Sequence, residues 1–184
     1  MVRGARVLEL GCGNGLCSLV AASLGASVLA SDYRQLPLDL LRAAADACGA
    51  RVSERLQTTV LDFADPMPSA LAVSTRHRAE KVSPTAEPLP DHDLLIAADV
   101  GYSKALAWRL GERCRESLQR GRRVLVCESR QMPECRLAFS EALNLDQKRV
   151  YRLAPREPVQ VETGAPRCQE SIRSLWYLDA GGGG

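Results

Sequence analysis

The stretch Arg6-Val7-Leu8-Glu9-Leu10-Gly11-Cys12-Gly13-Asn14-Gly15-Leu16 decides the fold. Its first five residues are branched and leucine-rich and end abruptly at Gly11, which marks a short buried strand. Glycines at 11, 13 and 15 let the backbone run close to a ligand, and residues 16 to 24 are long enough for a helix that stops at Gly25. Strand, glycine loop and helix in this order place a ligand at the carboxyl end of a strand, where open α/β sheets bind theirs. The spacing is not the dinucleotide fingerprint, because GxGxxG requires glycine at position 16, which is Leu16. Nor is it a P-loop, since no Gly-Lys-Ser/Thr follows.

The same alternation continues outward from this stretch. Residues 26 to 31 predict a second buried strand closed by Asp32, and residues 36 to 48 a helix before Gly49. A third strand falls within residues 55 to 61, a fourth at 93 to 98 and a fifth at 122 to 127, with helices over 104 to 120 and 134 to 143. Two strands close the chain, near 148 to 153 and 172 to 178, joined by a long hairpin-like connection marked by Pro155, Pro158, Gly164 and Pro166. Prolines 66, 68, 84, 88 and 90 bracket a loop insertion at residues 64–92, and residues 181–184 predict a flexible tail. The expected fold is therefore α/β: a doubly wound, Rossmann-like, mostly parallel seven-stranded sheet with helices on both faces and a terminal antiparallel hairpin at one edge. Residues 1–180 read as a single domain.

Composition narrows the function classes. The 184 residues are 46% apolar and 25% charged, enough for a chain of this length to bury about 70% of its unfolded surface without disulfides or metal. The 24 Lys and Arg against 22 Asp and Glu leave a net charge of +2 with the signs interspersed, so no nucleic-acid or membrane-surface partner is expected. Seven cysteines without a CxxC pair, and only two histidines, read as reduced thiols and no metal site. No apolar run reaches about 18 residues and the N-terminus carries no signal-peptide pattern, which predicts a soluble, cytoplasmic protein.

Carboxylates at the strand ends specify the ligand. Asp32 is placed to accept from both hydroxyls of a ribose, as an acid some 20 residues past a glycine loop does in nucleotide folds. Glu9, beneath the loop, would repel a pyrophosphate but suits an ammonium. An adenosine, a sulfonium and an amino acid without phosphate describe S-adenosylmethionine. Asp62 is placed to accept from the adenine amino group with Phe63 beside the ring. After the fourth strand, Ala98-Asp99-Val100-Gly101-Tyr102 borders the reactive end, where Asp99 orients an incoming amine and Tyr102 narrows the entrance. Each piece has a plainer reading: a tight turn for the glycines, helix caps for Asp32 and Asp99, ordinary loop residues for Asp62 and Phe63.

Taken together, VLELGCGNGL at 7 to 16, Asp32, Leu61-Asp62-Phe63 and ADVGY at 98 to 102 resemble the seven-strand, class I methyltransferases dependent on S-adenosylmethionine. They most resemble the lysine-methyltransferase-like group called methyltransferase family 16. The resemblance implies that Gly11, Cys12 and Gly13 cradle the methionine part of the cofactor, that Asp32 binds ribose, and that Phe63 and Ala98 line its adenine and methyl ends. It further implies that Asp99 and Tyr102 flank the acceptor and that Arg130 matches an arginine frequent after the fifth strand. The group carries tryptophan where this chain has Phe63. Members also have a segment ahead of the first strand that covers the cofactor, whereas this chain begins six residues before Val7. The pocket is accordingly expected to be open on one side or covered by later loops such as 64–92. The expected activity is N-methyl transfer to a protein lysine, with a small amine acceptor or a non-catalytic binding module as alternatives.

Overall fold

The computed structural model describes residues 2–65, 88–128 and 132–144, together with the strand backbone at 150–152, 160–162, 169–171 and 174–178. The chain alternates as expected. Strand β1 (Arg6–Leu10) leads to α1 (Leu16–Ser23), β2 (Ser27–Asp32) to α2 (Gln35–Ala47), and a short α3 (Ala50–Ser53) precedes β3 (Leu56–Val60). Then follow β4 (Leu94–Ala98), α4 (Lys104–Gln119), β5 (Arg123–Glu128), α5 (Pro133–Leu143) and the late strands β6 (Val150–Arg152), β7 (Gln160–Glu162), β8 (Gln169–Ser171) and β9 (Ser174–Leu178). Most of the loop insertion, Arg130 and the 181–184 tail lie outside the described residues.

Seven strands form one sheet in the order β3, β2, β1, β4, β5, β9, β6. The first five are parallel, and β1 sits between β2 and β4, the reversal point at which an open α/β sheet opens its ligand crevice. The expected terminal hairpin takes a particular form. β9 inserts antiparallel between β5 and β6, pairing Trp176 with Val126 on one side and with Arg152 on the other. β7 and β8 make a separate two-stranded ribbon inside the connection between β6 and β9.

Side-chain alternation along each strand divides the interior in two. Val7, Val28, Ala30, Leu94 and Ile96 face Ala21, Ala22, Leu38 and Leu41 of α1 and α2. Leu8, Leu10, Leu95, Ala97, Val124 and Val126 face Leu110, Cys114, Leu118 and Phe139 of α4 and α5. Strands buried on both faces read as continuous apolar runs, which is why β1 and β4 stand out in the sequence. Among the described residues no helix is long and apolar enough to cross a membrane.

The helices on the second face approach each other closely at Gly111. A Cβ there would lie 2.5 Å from the Phe139 carbonyl oxygen and 2.8 Å from the Ala142 Cβ. The cost of a glycine within a helix is thus offset by the contact it permits between α4 and α5.

Candidate functional site

The glycine loop joins β1 to α1 at the carboxyl edge of the sheet. Gly11 adopts φ 64°, and a Cβ on it would fall 2.6 Å from Val100 Cγ1 and 3.7 Å from Phe63 Cε1. Three segments far apart in sequence therefore meet at Gly11: the glycine loop, the turn after β3 and the turn after β4. Gly15, at φ 75°, leaves room for Leu41 of α2, whose Cδ1 would otherwise lie 2.3 Å away. Both positions require glycine for conformation and for space.

Asp32, the last residue of β2, clamps the loop from the side. One carboxylate oxygen accepts the Gly13 N–H at 3.1 Å and the other the Arg34 N–H at 3.0 Å. A carboxylate offers about four acceptor positions, so each oxygen keeps one for a ligand hydroxyl. The Cys12 N–H donates to the Ser31 carbonyl at 2.8 Å, and the Ser31 hydroxyl donates to the Glu9 carbonyl at 2.7 Å, which fastens the loop to β2. The Cys12 thiol is buried, and burial together with the charges of Glu9 and Asp32 pushes it up to about 12, so it is a packed thiol and no nucleophile.

Glu9 lies beneath the loop and is 2% exposed. It accepts from the Ser18 hydroxyl, the Ser18 amide and the Cys17 thiol. Helix α1 has Gly15 at its N-cap and no side-chain cap there, so Glu9 reaches from β1 to satisfy its first turn. Burial outweighs these hydrogen bonds, and the Glu9 carboxyl is raised to about 7. The helix amides of α1 are thus engaged mainly from within: Asn14 Oδ1 accepts the Leu16 N–H at 3.3 Å.

Asp62 and Phe63 follow β3. The Asp62 carboxylate accepts the Ala64 N–H at 3.0 Å, closing a local turn, and Phe63 is buried beside Gly11 and Val100. The Phe63 carbonyl accepts from Arg113 Nε of α4 at 3.3 Å. Arg113 is buried and also pairs with Glu116 at 2.9 Å, while Glu116 accepts the Leu89 N–H at 2.6 Å. Helix α4 therefore holds both described ends of the loop insertion.

Ala98 closes β4, and the next residue departs from regular backbone. Asp99 has φ 55°, a left-handed conformation that a non-glycine residue occupies at a cost, and its N–H donates to the Cys127 carbonyl at 2.9 Å. The cap of α4 is Ser103, whose hydroxyl accepts the Leu106 N–H at 3.3 Å, which removes the plainer reading of Asp99 as that helix's cap. Tyr102 is 58% exposed. Partial burial, followed by the nearby Tyr33, Asp32 and Asp62, raises its phenol, so Tyr102 stands at the same edge as Asp32 and Asp62.

The expected site residues thus gather at one edge of the sheet, with Glu9 set below the surface and Asp99 and Tyr102 at its rim. Two further residues belong to this neighbourhood. Tyr33 follows Asp32 and acts on Tyr102. Glu128, the last residue of β5, is buried next to Gly101. Neither carries a local signal in sequence, since a tyrosine or glutamate at a strand end is ordinary.

This arrangement fits S-adenosylmethionine. Gly13, at φ 51° with nothing within 4 Å of where its Cβ would stand, lets a ligand approach the backbone, Asp32 has acceptor capacity for ribose, and the buried Glu9 carboxyl, held above its ordinary range, gains from a cation nearby and would oppose a phosphate. The sequence profile of the lysine methyltransferase family matches residues 1–144. The chain belongs to the lysine methyltransferase family. Its fold is that of the class I S-adenosylmethionine-dependent methyltransferases. Among solved structures it is similar to a ribosomal protein L11 methylase from Lactobacillus delbrueckii subsp. bulgaricus, at 16% identity and TM-score 0.58 over 97% of this chain and 72% of that one. An rRNA methylase from Streptococcus thermophilus gives the same identity and TM-score over 96% of this chain and 86% of the other. Among curated proteins, 60 residues are 42% identical to a ubiquinone biosynthesis O-methyltransferase of Actinobacillus pleuropneumoniae serotype 7 (strain AP76). That match spans 33% of this chain and 25% of the relative.

Proposed function

We propose that this member of the lysine methyltransferase family transfers a methyl group from S-adenosylmethionine to the side-chain nitrogen of a protein lysine. The observation that carries this reading is Asp99: an exposed acid held at φ 55° on the rim, with α4 capped by a different residue. Strained backbone at a ligand-facing edge is retained where the side chain must point in one direction. S-adenosylmethionine, when bound, supplies an electrophilic methyl group on a sulfonium. The protein's part is alignment and preparation of the amine. Asp99 first holds the lysine ammonium by a charge-assisted hydrogen bond and then, as general base, takes up the proton that leaves as the neutral amine is released to attack, and Tyr102 limits the width of the approach. Gly11, Cys12, Gly13 and Asp32 hold the methionine and ribose parts, Asp62, Phe63 and Ala98 the adenine and methyl ends, and Glu9 acts through its charge from below.

Incubation of the protein with labelled S-adenosylmethionine and cell extract tests this. Label is expected in protein and, after acid hydrolysis, in methyl-lysine. Asp99→Asn keeps a residue that tolerates the left-handed conformation, and it is expected to lower transfer by about 100-fold. Its affinity for S-adenosylhomocysteine should stay within about threefold, whereas Asp32→Ala should weaken that affinity more than tenfold, about 1.4 kcal/mol. The match to an O-methyltransferase of ubiquinone biosynthesis favours a second reading, transfer to a small molecule. Label confined to the small-molecule fraction would replace the first reading by the second, and binding without transfer to either would leave a non-catalytic module.

A further inference from the structure

We propose that Glu128 is a positioning residue: packed against Gly101, it fixes the turn that presents Asp99 and Tyr102 to the acceptor. This rests on the reading of that turn as the acceptor side. Gly101 has no positive φ, so its conformation is open to any residue, and the need for glycine is one of space. The space is filled by Glu128. A Cβ on Gly101 would lie 3.0 Å from Glu128 Oε1 and 3.7 Å from the Ala107 Cβ of α4. Gly101 is therefore held between the end of β5 and the start of α4, in the turn between the two residues it has to position.

The sheet register supplies the other half of the hold. Ala98 pairs with Cys127, and the Asp99 N–H donates to the Cys127 carbonyl, so the turn leaves β4 directly opposite Glu128. Val124, Val126 and Glu128 share one face of β5, the face covered by α4 and α5, and Glu128 is 8% exposed at its upper end. An apolar residue would continue that face, and a carboxyl costs free energy in this position. Burial raises the Glu128 carboxyl, opposed by Arg136 and reinforced by Asp99. Burial disfavours the charged form, and what the side chain gives the turn is its shape against Gly101, which glutamine copies.

Amide hydrogen exchange of the S-adenosylhomocysteine-loaded protein, read on a peptide spanning residues 98–103, tests the proposal without any acceptor. Glu128→Ala is expected to speed exchange in this segment at least tenfold while leaving β1 unchanged, and Glu128→Gln to restore wild-type exchange within about threefold. Gly101→Ala, which presses the same contact from the other side, should reproduce the Glu128→Ala pattern and serves if that variant does not fold. With a lysine peptide that the wild type labels, Glu128→Ala should raise the peptide KM at least fivefold while the KM for S-adenosylmethionine stays within twofold. Unchanged exchange in both Glu128→Ala and Gly101→Ala would overturn the proposal, as would a Gln variant no better than Ala, which would make the charge decisive. Absence of any labelled lysine peptide would count against the lysine reading alone, because the exchange measurement still decides the role of Glu128.

Discussion

At the scale of single residues, the site depends on groups held in states that water would not favour. Glu9 is the clearest case. Its carboxyl stands at about 7 in the folded protein against 4.5 for the exposed group, so between these values the folded state binds more protons than the unfolded one. Its contribution to stability is complete below pH 4.5 and is lost as pH rises to about 7, on the order of 3 kcal/mol. Glu9→Gln removes this dependence while keeping an acceptor for the Ser18 hydroxyl. Urea unfolding of both proteins at pH 4.5 and pH 8 should show the stability difference moving in favour of the variant by up to that amount, and a pH-independent difference would refute it. Residues of this kind differ in how far sequence reveals them. The glycines at 11 and 15 are legible because a local backbone requirement selects them, and Asp32 because it ends a recognisable strand. Glu9 was legible as a carboxylate under the loop, but its bonds to Cys17 and Ser18 were not, since they depend on how α1 leaves Gly15. Glu128 and Arg113 were invisible because their partners, Gly101 and Phe63, are brought to them only by the folded sheet.

At the scale of elements, α4 does more than cover the sheet. One face packs on α5 through Gly111, and neighbouring turns hold Phe63 through Arg113 and Leu89 through Glu116 and Arg120. Buried His92 completes this edge. Its Nδ1 lies 2.7 Å from the Pro90 carbonyl and its Nε2 3.0 Å from the Ser117 hydroxyl, while burial lowers its proton affinity and favours the neutral ring. The amphipathic pattern of residues 104–120 announced the helix and its length, since charges on one face and apolar residues on the other need only local order. Its tethers join residues 25 to 50 positions apart, and no pattern within the helix encodes them. The same reasoning explains why β9 was expected as a strand while its insertion between β5 and β6 was not. Gly111→Ala probes the helix contact directly. Helix propensity alone predicts a gain of up to about 1 kcal/mol, but the new methyl would meet the backbone of Phe139, and overpacking costs about 1–3 kcal/mol. Net destabilisation is expected in chemical denaturation, and a stabilised variant would show that α4 and α5 are not held at this distance.

Across the whole molecule, charge is divided between the two ends of the sheet in a way the net value of +2 conceals. At the amino ends of the strands, Arg6 pairs with Asp91 and Asp93, and Arg122 with the same two acids. Their neighbours hold Asp93 down to about 2 and lower Asp91, so this end is an internally neutralised cluster. At the carboxyl ends lie Glu9, Asp32, Asp62, Asp99 and Glu128, each last in its strand or within two residues of that end. Parallel strands make this division possible, because every carboxyl end falls on the same edge. On the proposed reading the carboxyl edge takes the ligand, and perturbing the charge cluster at the amino edge should leave that binding unaffected. S-adenosylhomocysteine at 100 times its Kd should stabilise the protein by about 2.7 kcal/mol, the value that mass action requires of a ligand bound only by the folded state. Arg6→Ala, which breaks the cluster at the opposite edge, should lower the unfolding midpoint in the absence of ligand yet leave the ligand-induced increment and the Kd unchanged. Asp32→Ala, which also removes the acceptor for the Gly13 and Arg34 amides, should lower the ligand-free midpoint and, unlike Arg6→Ala, reduce the increment at a fixed ligand concentration. Unfolding curves with and without ligand for the three proteins check both expectations, and an increment that changes with Arg6→Ala would show that the two edges are coupled through the sheet.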